Sequence, residues 1–285
     1  MNTRRVLVTG ASAGIGRHAA LRLAREGWEV FAAARRSGAL VDLAKEAAGI
    51  HPIVLDVASS ASIRDATAEI FARTDGYGVD ALVNNAGIAI VGPLAEVSDE
   101  DFRAQFDTNV LGLMSVTRAF LPTMMGRRAG RIVNVSSSGG RISLPFVGVY
   151  HATKFALEAL SDTARWELAP FGIRVSLIEP GPIRTELGDK MIASLARISA
   201  ESAYAPVLRD VEGIKRFAEG RMHGPEIVVR DIVHALTSRH PRARYVQPRS
   251  LSALLKLYWL SPTWLTDWVI TRFAGLTRAR LLGQG

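Results

Sequence analysis

The 285 residues carry 35 Lys and Arg against 27 Asp and Glu, a formal net charge of +8, with 48% hydrophobic residues and no cysteine. That hydrophobic share excludes a disordered chain, and the missing thiols exclude disulfides, cysteine-ligated metals and a cysteine nucleophile. The length suits one large doubly wound α/β unit. The arginines are scattered without an aromatic platform, so the basic surface reads as solvated and not as a nucleic-acid site.

Along the chain, short β-branched runs alternate with longer amphipathic stretches, the sign of βαβ units and a parallel sheet. Residues 1–5 lead straight into Val6-Leu7-Val8 with no signal-peptide pattern, so a cytoplasmic location is expected. Strands are predicted at residues 4–9, 29–34, 50–55, 81–83, 131–136, 174–178 and 244–246. Helices are predicted at 14–26, 39–47, 59–73, 99–125, 149–169 and 225–238, with start signals at Ser59, at Ser98-Asp99-Glu100 and at Gly224-Pro225-Glu226. The stretch 182–220 breaks this rhythm and reads as a substrate lid.

The stretch 251–273 concentrates Trp259, Trp264 and Trp268 among leucines but is interrupted by Lys256, Pro262 and Asp267. It is too broken for a span of about 20 apolar residues. The expectation is a helix pair packed on the domain or at a subunit contact, with interfacial membrane contact as the alternative.

Three local motifs carry chemistry. Thr9-Gly10-Ala11-Ser12-Ala13-Gly14-Ile15-Gly16 falls between the first strand and the first helix, where glycines let a pyrophosphate approach the amides of a helix N-terminus. This makes the fold class a single-domain Rossmann fold, a doubly wound parallel sheet of about seven strands with helices on both faces and a C-terminal helical extension. After the second strand, the position of the usual ribose-binding acid, the chain reads Ala33-Ala34-Arg35-Arg36. Two guanidiniums and no acid there suit a 2′-phosphate, hence NADP(H). A structural turn and a solvated loop are the plain alternatives for these two motifs. Tyr150 and Lys154 stand four apart near a helix start and share one face, where an ammonium favours a phenolate general acid/base. His151 points to another face and is read as a bystander.

Taken in order, these motifs resemble the short-chain dehydrogenase/reductases of the TGxxxGxG type over nearly the whole length. The likeness rests on Thr9 to Gly16, Asp56 closing the third strand, Asn84-Asn85-Ala86-Gly87, Ser137 thirteen residues before Tyr150 with Lys154 following, and Pro180-Gly181. The resemblance implies Asn109, Ser137, Tyr150 and Lys154 as the catalytic set: Tyr150 as proton donor or acceptor, Ser137 on the substrate oxygen, Lys154 on the nicotinamide ribose, and Asn109 anchoring a relay water. It implies cofactor contacts from Gly10, Ser12, Gly14, Ile15 and Gly16, from Asp56 and Val57 at the adenine, and from Asn85, Ala86 and Gly87. Pro180, Gly181, Ile183 and Thr185 complete the set at the nicotinamide. One departure is Ala13, where many NADP-preferring members carry a basic residue, so phosphate recognition falls to Arg35, helped by Arg36 and Ser12.

Leu144, Pro145, Phe146, Val147 and Val149, with Leu187 and Met191 of the lid, are expected to face a lipophilic ketone, aldehyde or secondary alcohol. Leu144-Pro145-Phe146 followed by Tyr150 resembles the 17β-hydroxysteroid and retinol dehydrogenase branch. The expected organisation is a catalytic domain over 1–250 and a helical extension over 251–285, assembled as a homodimer or homotetramer. The alternatives are a small or polar ketone with NAD(H), a dinucleotide-binding regulator, and a membrane-associated protein.

Overall fold

The computed structural model describes residues 3–195, 198, 201–208 and 222–282. Seven parallel strands form one sheet: β1 (Arg5–Thr9), β2 (Glu29–Ala34), β3 (Ile50–Val54), β4 (Ala81–Asn84), β5 (Gly130–Val135), β6 (Ile173–Pro180) and β7 (Arg244–Gln247). Their order is β3-β2-β1-β4-β5-β6-β7. Strand ends fall within a residue or two of the sequence expectation, where assignment is softest.

The strands alternate sides as a pleated ribbon must. Val6 and Val8 face a core shared with α1 (Gly14–Arg25), α2 (Gly38–Glu46) and, near the C-terminus, α9 (Glu226–Thr237). Leu7, Phe31 and Ile53 face the opposite core with α3 (Ser60–Arg73), α5 (Leu113–Arg127) and the end of α6 (Gly148–Leu168). Helices on both faces make the sheet doubly wound, and every strand delivers its C-terminal end to one edge. The chain switches the side on which it adds strands between β1 and β4, and a crevice opens at such a point.

Helix starts follow local chemistry. The Ser59 hydroxyl accepts from the Ser62 amide at the start of α3, and the Ser98 hydroxyl from the Asp101 amide at the start of α4 (Asp99–Phe106). The single helix expected over 99–125 is three pieces: α4, a π-helical turn at Asp107–Gly112, and α5. The wider turn carries Asn109 inward, and Gly112 lies so close to the Val57 carbonyl that a side chain there would collide with it.

Within the expected lid, α7 (Glu186–Leu195) and α8 (Ala205–Leu208) are formed, whereas residues 196–197, 199–200 and 209–220 of that stretch lie outside the described residues. After β7 come α10 (Leu251–Leu260), α11 (Thr263–Phe273) and α12 (Arg278–Leu282). Among the described residues, no helix is long and apolar enough to cross a membrane.

Candidate active site

The turn after β1 is held by Thr9. Its hydroxyl accepts from the Asn85 and Ala86 amides at 3.0 Å each, and the Asn85 side-chain amide donates to the Thr9 and Gly10 carbonyls at 3.0 and 3.2 Å. Gly10 and Gly14 adopt φ of +66° and +52°, a region that disfavours side chains. A Cβ on Gly10 would stand 2.9 Å from Ala86 Cα. Helix α1 then begins at Ala13 with no side-chain cap and no acid in its first turn. Its free amides and dipole therefore face the switch-point crevice, a fit for a pyrophosphate. On the far side, the turn after β6 brings Thr185 over this loop: a Cβ on Gly14 would lie 3.3 Å from the Thr185 side chain. Ser12 and Ile15 are half-buried, Gly16 and Ile183 buried.

The Ala11 amide donates to the Ala33 carbonyl at 2.9 Å, which ties the glycine loop to the end of β2. Directly beyond, Arg35 and Arg36 are exposed, and neither takes part in an ion pair among the described residues. Asp56, closing β3, accepts from the Ala58 amide and donates its own amide to Ser62 Oγ, while Val57 is buried. Asn85 spends its side-chain amide on the loop carbonyls, so the 85–87 turn meets a cofactor mainly with main chain.

Five elements converge at the other end of the edge. A Cβ on Gly87 would stand 3.2 Å from Asn109 Oδ1 and 3.9 Å from Lys154 Nζ. The Asn109 side-chain amide donates to the Ile88 carbonyl and Thr153 Oγ1, and its Oδ1 accepts from the Ile88 amide, so both its donors are used. Ser137 begins a single 3-10 turn at the end of β5, and its hydroxyl shares a hydrogen bond with the Tyr150 phenol. Lys154, one turn along α6, donates to the Val135 carbonyl at 3.0 Å and has its Nζ 5.7 Å from the Tyr150 ring centroid. The three-donor ammonium thus keeps donors for a ligand. Pro180 and Gly181 border the group, the Ser137 hydroxyl lying 3.4 Å from the Pro180 carbonyl.

Burial dominates the electrostatics of the pair. Burial pushes the Tyr150 phenol up to about 12, against which the Ser137 hydrogen bond pulls down. Burial also lowers the Lys154 amine to about 8. In the chain alone desolvation sets the direction of both shifts. His151, brought to about 4 by burial, is no idle neighbour: its Nδ1 accepts from the Leu144 amide at 3.2 Å and props the loop before Tyr150.

Sequence reasoning missed a charge cluster beneath the site. Arg244 of β7 bridges Glu158 at 3.1 Å, Glu179 at 3.0 Å and Asp162 at 2.6 Å, and Arg141 reaches Glu179 at 3.5 Å. Burial raises both glutamates, Glu179 to about 7. Glu158 stands one turn past Lys154 and offsets part of the lysine's desolvation. The spacing of Lys154, Glu158 and Asp162 along one helix face was the available signal.

On the substrate side, Leu144 is exposed, Pro145, Phe146 and Val147 are half-buried, and Val149 is buried. Phe146 takes φ of +69°, and its carbonyl accepts from the Gly92 amide at 2.7 Å. Tyr204 of the lid segment, also missed, meets the Phe146 ring edge-on at 5.8 Å, and Ser202 donates to Glu96 at 2.7 Å. Leu187 and Met191 are half-buried on α7.

A doubly wound parallel sheet with these groups gathered at its switch-point edge defines a dinucleotide-binding oxidoreductase. The family model for short chain dehydrogenase matches residues 4–195, and the chain belongs to the short-chain dehydrogenase/reductases. It is similar to the uncharacterized oxidoreductase YbbO of Escherichia coli K12, 38% identical over 93% of each chain. Retinol dehydrogenase 5 of Mus musculus is 34% identical over 93% of this chain and 86% of its own. For the human 17-beta-hydroxysteroid dehydrogenase type 1, the identity is 34% over 88% and 80%. A short-chain dehydrogenase from Streptomyces avermitilis superposes with a TM-score of 0.78 at 31% identity over 98% of both chains. A Burkholderia phymatum relative in complex with NAD gives 0.78 at 26% identity over 90% and 92%. ElxO with NADP bound gives 0.70 at 26% identity over 86% and 96%, so structural neighbours include both cofactors.

Proposed function

We propose that this oxidoreductase uses NADP(H) to interconvert a carbonyl and an alcohol on a lipophilic substrate, working as a reductase. The observation that carries this reading is the buried Tyr150 phenol, hydrogen-bonded to Ser137 with the Lys154 amine one helical turn away. The phenol is protonated at neutral pH, and the Lys154 ammonium one turn away is the group that eases loss of that proton to a substrate oxygen.

When bound, the nicotinamide supplies the hydride equivalent. Around it, Tyr150 Oη gives a proton to the substrate oxygen while Ser137 Oγ donates to the same oxygen as charge develops there. Lys154 holds the nicotinamide ribose and brings a positive charge near the phenolate left after proton transfer. With both amide donors of its side chain used, Asn109 in the π-helical turn has only acceptors left to anchor a water leading to Lys154. Gly10, Ser12, Gly14, Ile15 and Gly16 take the pyrophosphate, Asp56, Val57 and Asn85 to Gly87 flank the adenosine, and Ile183 and Thr185 follow Pro180-Gly181 to the carboxamide. Arg35 and Arg36, exposed and unpaired among the described residues, favour the 2′-phosphate. Leu144, Pro145, Phe146 and Leu187 supply the apolar wall for a non-reacting hydrocarbon body.

The test is a panel of lipophilic ketones, aldehydes and secondary alcohols scored by NADPH or NADP+ absorbance, run with the wild type and Tyr150→Phe. The variant is expected to lose at least about 99% of turnover with cofactor affinity retained. Turnover that survives the substitution refutes the assignment of Tyr150.

A further inference from the structure

The C-terminal helices α10 and α11 are apolar and expose a row of large side chains on their outer faces. Among the described residues 17 large hydrophobic side chains are exposed, and nine of them lie between Leu251 and Leu282. Leu260 is 84% exposed, Trp264 70%, and Trp259 and Trp268 58% each. In these two helices only Leu255 is buried. Within one chain the pair packs on the domain through Leu255, with Leu251, Tyr258, Leu265 and Ile270 half-buried, and leaves its outer face open. On α10, Leu254, Leu257 and Leu260 recur every third residue and form one outward stripe. On α11, Trp264 and Trp268 stand one turn apart, with the Arg272 guanidinium 5.6 Å from the Trp268 ring.

Charge decides what such a face suits. From residue 249 to 282 the cations are Arg249, Lys256, Arg272, Arg278 and Arg280, and the acid is Asp267. A two-fold contact between copies would press this cationic surface against itself. A nucleic acid offers phosphates but nothing to cover leucines. Anionic lipid offers both, a negative surface for the arginines and a hydrocarbon boundary for Leu and Trp. The helices have 10 and 11 residues, so each is about 15 Å long, half of a hydrocarbon core of roughly 30 Å. They can lie in the interface but not cross it.

We propose that α10 and α11 form a docking surface for an anionic bilayer, lying in the headgroup region with Trp259, Trp264 and Trp268 at its depth. The root of α10 adjoins the nicotinamide turn: a Cβ on Gly181 would stand 2.7 Å from Leu251 Cδ2. The site thus faces the surface from which a lipophilic substrate partitions, a consequence that rests on the substrate reading above, whereas vesicle binding stands without it.

The experiment is flotation of the full-length chain with vesicles of phosphatidylcholine alone or mixed with phosphatidylglycerol. Binding is expected to be at least about tenfold tighter on the anionic vesicles and weaker in high salt. Two variants, Trp259→Ser/Trp264→Ser/Trp268→Ser and Leu257→Gln/Leu260→Gln, should each lower it about tenfold. NADPH binding and sedimentation velocity, unchanged in both variants, show that fold and assembly are intact. A wild type that leaves both vesicle types, or variants that bind as well as it does, would overturn the proposal. So would variants that dissociate a wild-type oligomer without any vesicle binding to lose, which would assign the face to a contact between copies.

Discussion

Lys154→Met separates what the lysine does for the reaction from what it does to the fold. Burial takes the amine from its ordinary 10.5 to about 8. At ~1.4 kcal/mol per unit, that is about 3 kcal/mol of destabilisation while the group is charged. The sign follows from proton linkage. Below about pH 8 the amine is protonated both folded and unfolded, and the folded chain carries the full cost. Between that value and 10.5 the unfolded chain holds the proton that the folded chain has lost, so stability rises with pH. Methionine removes the charge but also the bond to the Val135 carbonyl, worth about 1 kcal/mol, so the variant should be more stable than the wild type by about 2 kcal/mol at neutral pH. Urea unfolding of both proteins across the pH range measures the difference. It should shrink by about 1.4 kcal/mol for each pH unit above 8, with the Tyr150 titration common to both. A difference that stays constant with pH would refute the reasoning, and the variant should lose turnover and cofactor affinity whatever its stability.

On the proposed 2′-phosphate contacts, Ala34→Asp with Arg35→Ala should shift the preference toward NADH, read as the ratio of kcat/KM for NADPH and NADH. A wild-type ratio near one, or a double variant still favouring NADPH, places the phosphate elsewhere. Arg244→Leu strips the guanidinium from Glu158, Glu179 and Asp162 and should cost about 3–5 kcal/mol at pH 8. Without their cation, the two buried carboxyls bind protons more tightly folded than unfolded, so the loss should be smaller in chemical denaturation at pH 5.

What the sequence made legible depends on residues close together in it. The glycine loop, the Arg35-Arg36 pair and the shared face of Tyr150 and Lys154 are local patterns, and the sheet was readable because buried parallel strands form short β-branched runs. The groups that went unseen are tertiary. Thr9 acts on residues 76 and 77 positions away, Arg244 on one 86 away, and Ser202 on one 106 away. The π-helical turn was hidden because 99–125 keeps a helical period throughout, while the partner of Asn109 there, the Ile88 main chain, lies on another element. Pattern also showed the tryptophans of the tail but not whether anything covers them.

The bridge from Arg244 to α6 sets an order of events during synthesis. Glu158 of α6 comes off the ribosome well before the guanidinium that bridges it; Arg244 follows Glu158 by 86 residues. At about 5–20 residues per second, that is an interval of roughly 4 to 17 s. Over that interval the stretch through β4 can settle, while Glu158, one turn past Lys154 on α6, still lacks its bridge to Arg244. The nascent chain thus completes the first half of its sheet well before the bridge beneath α6 can form.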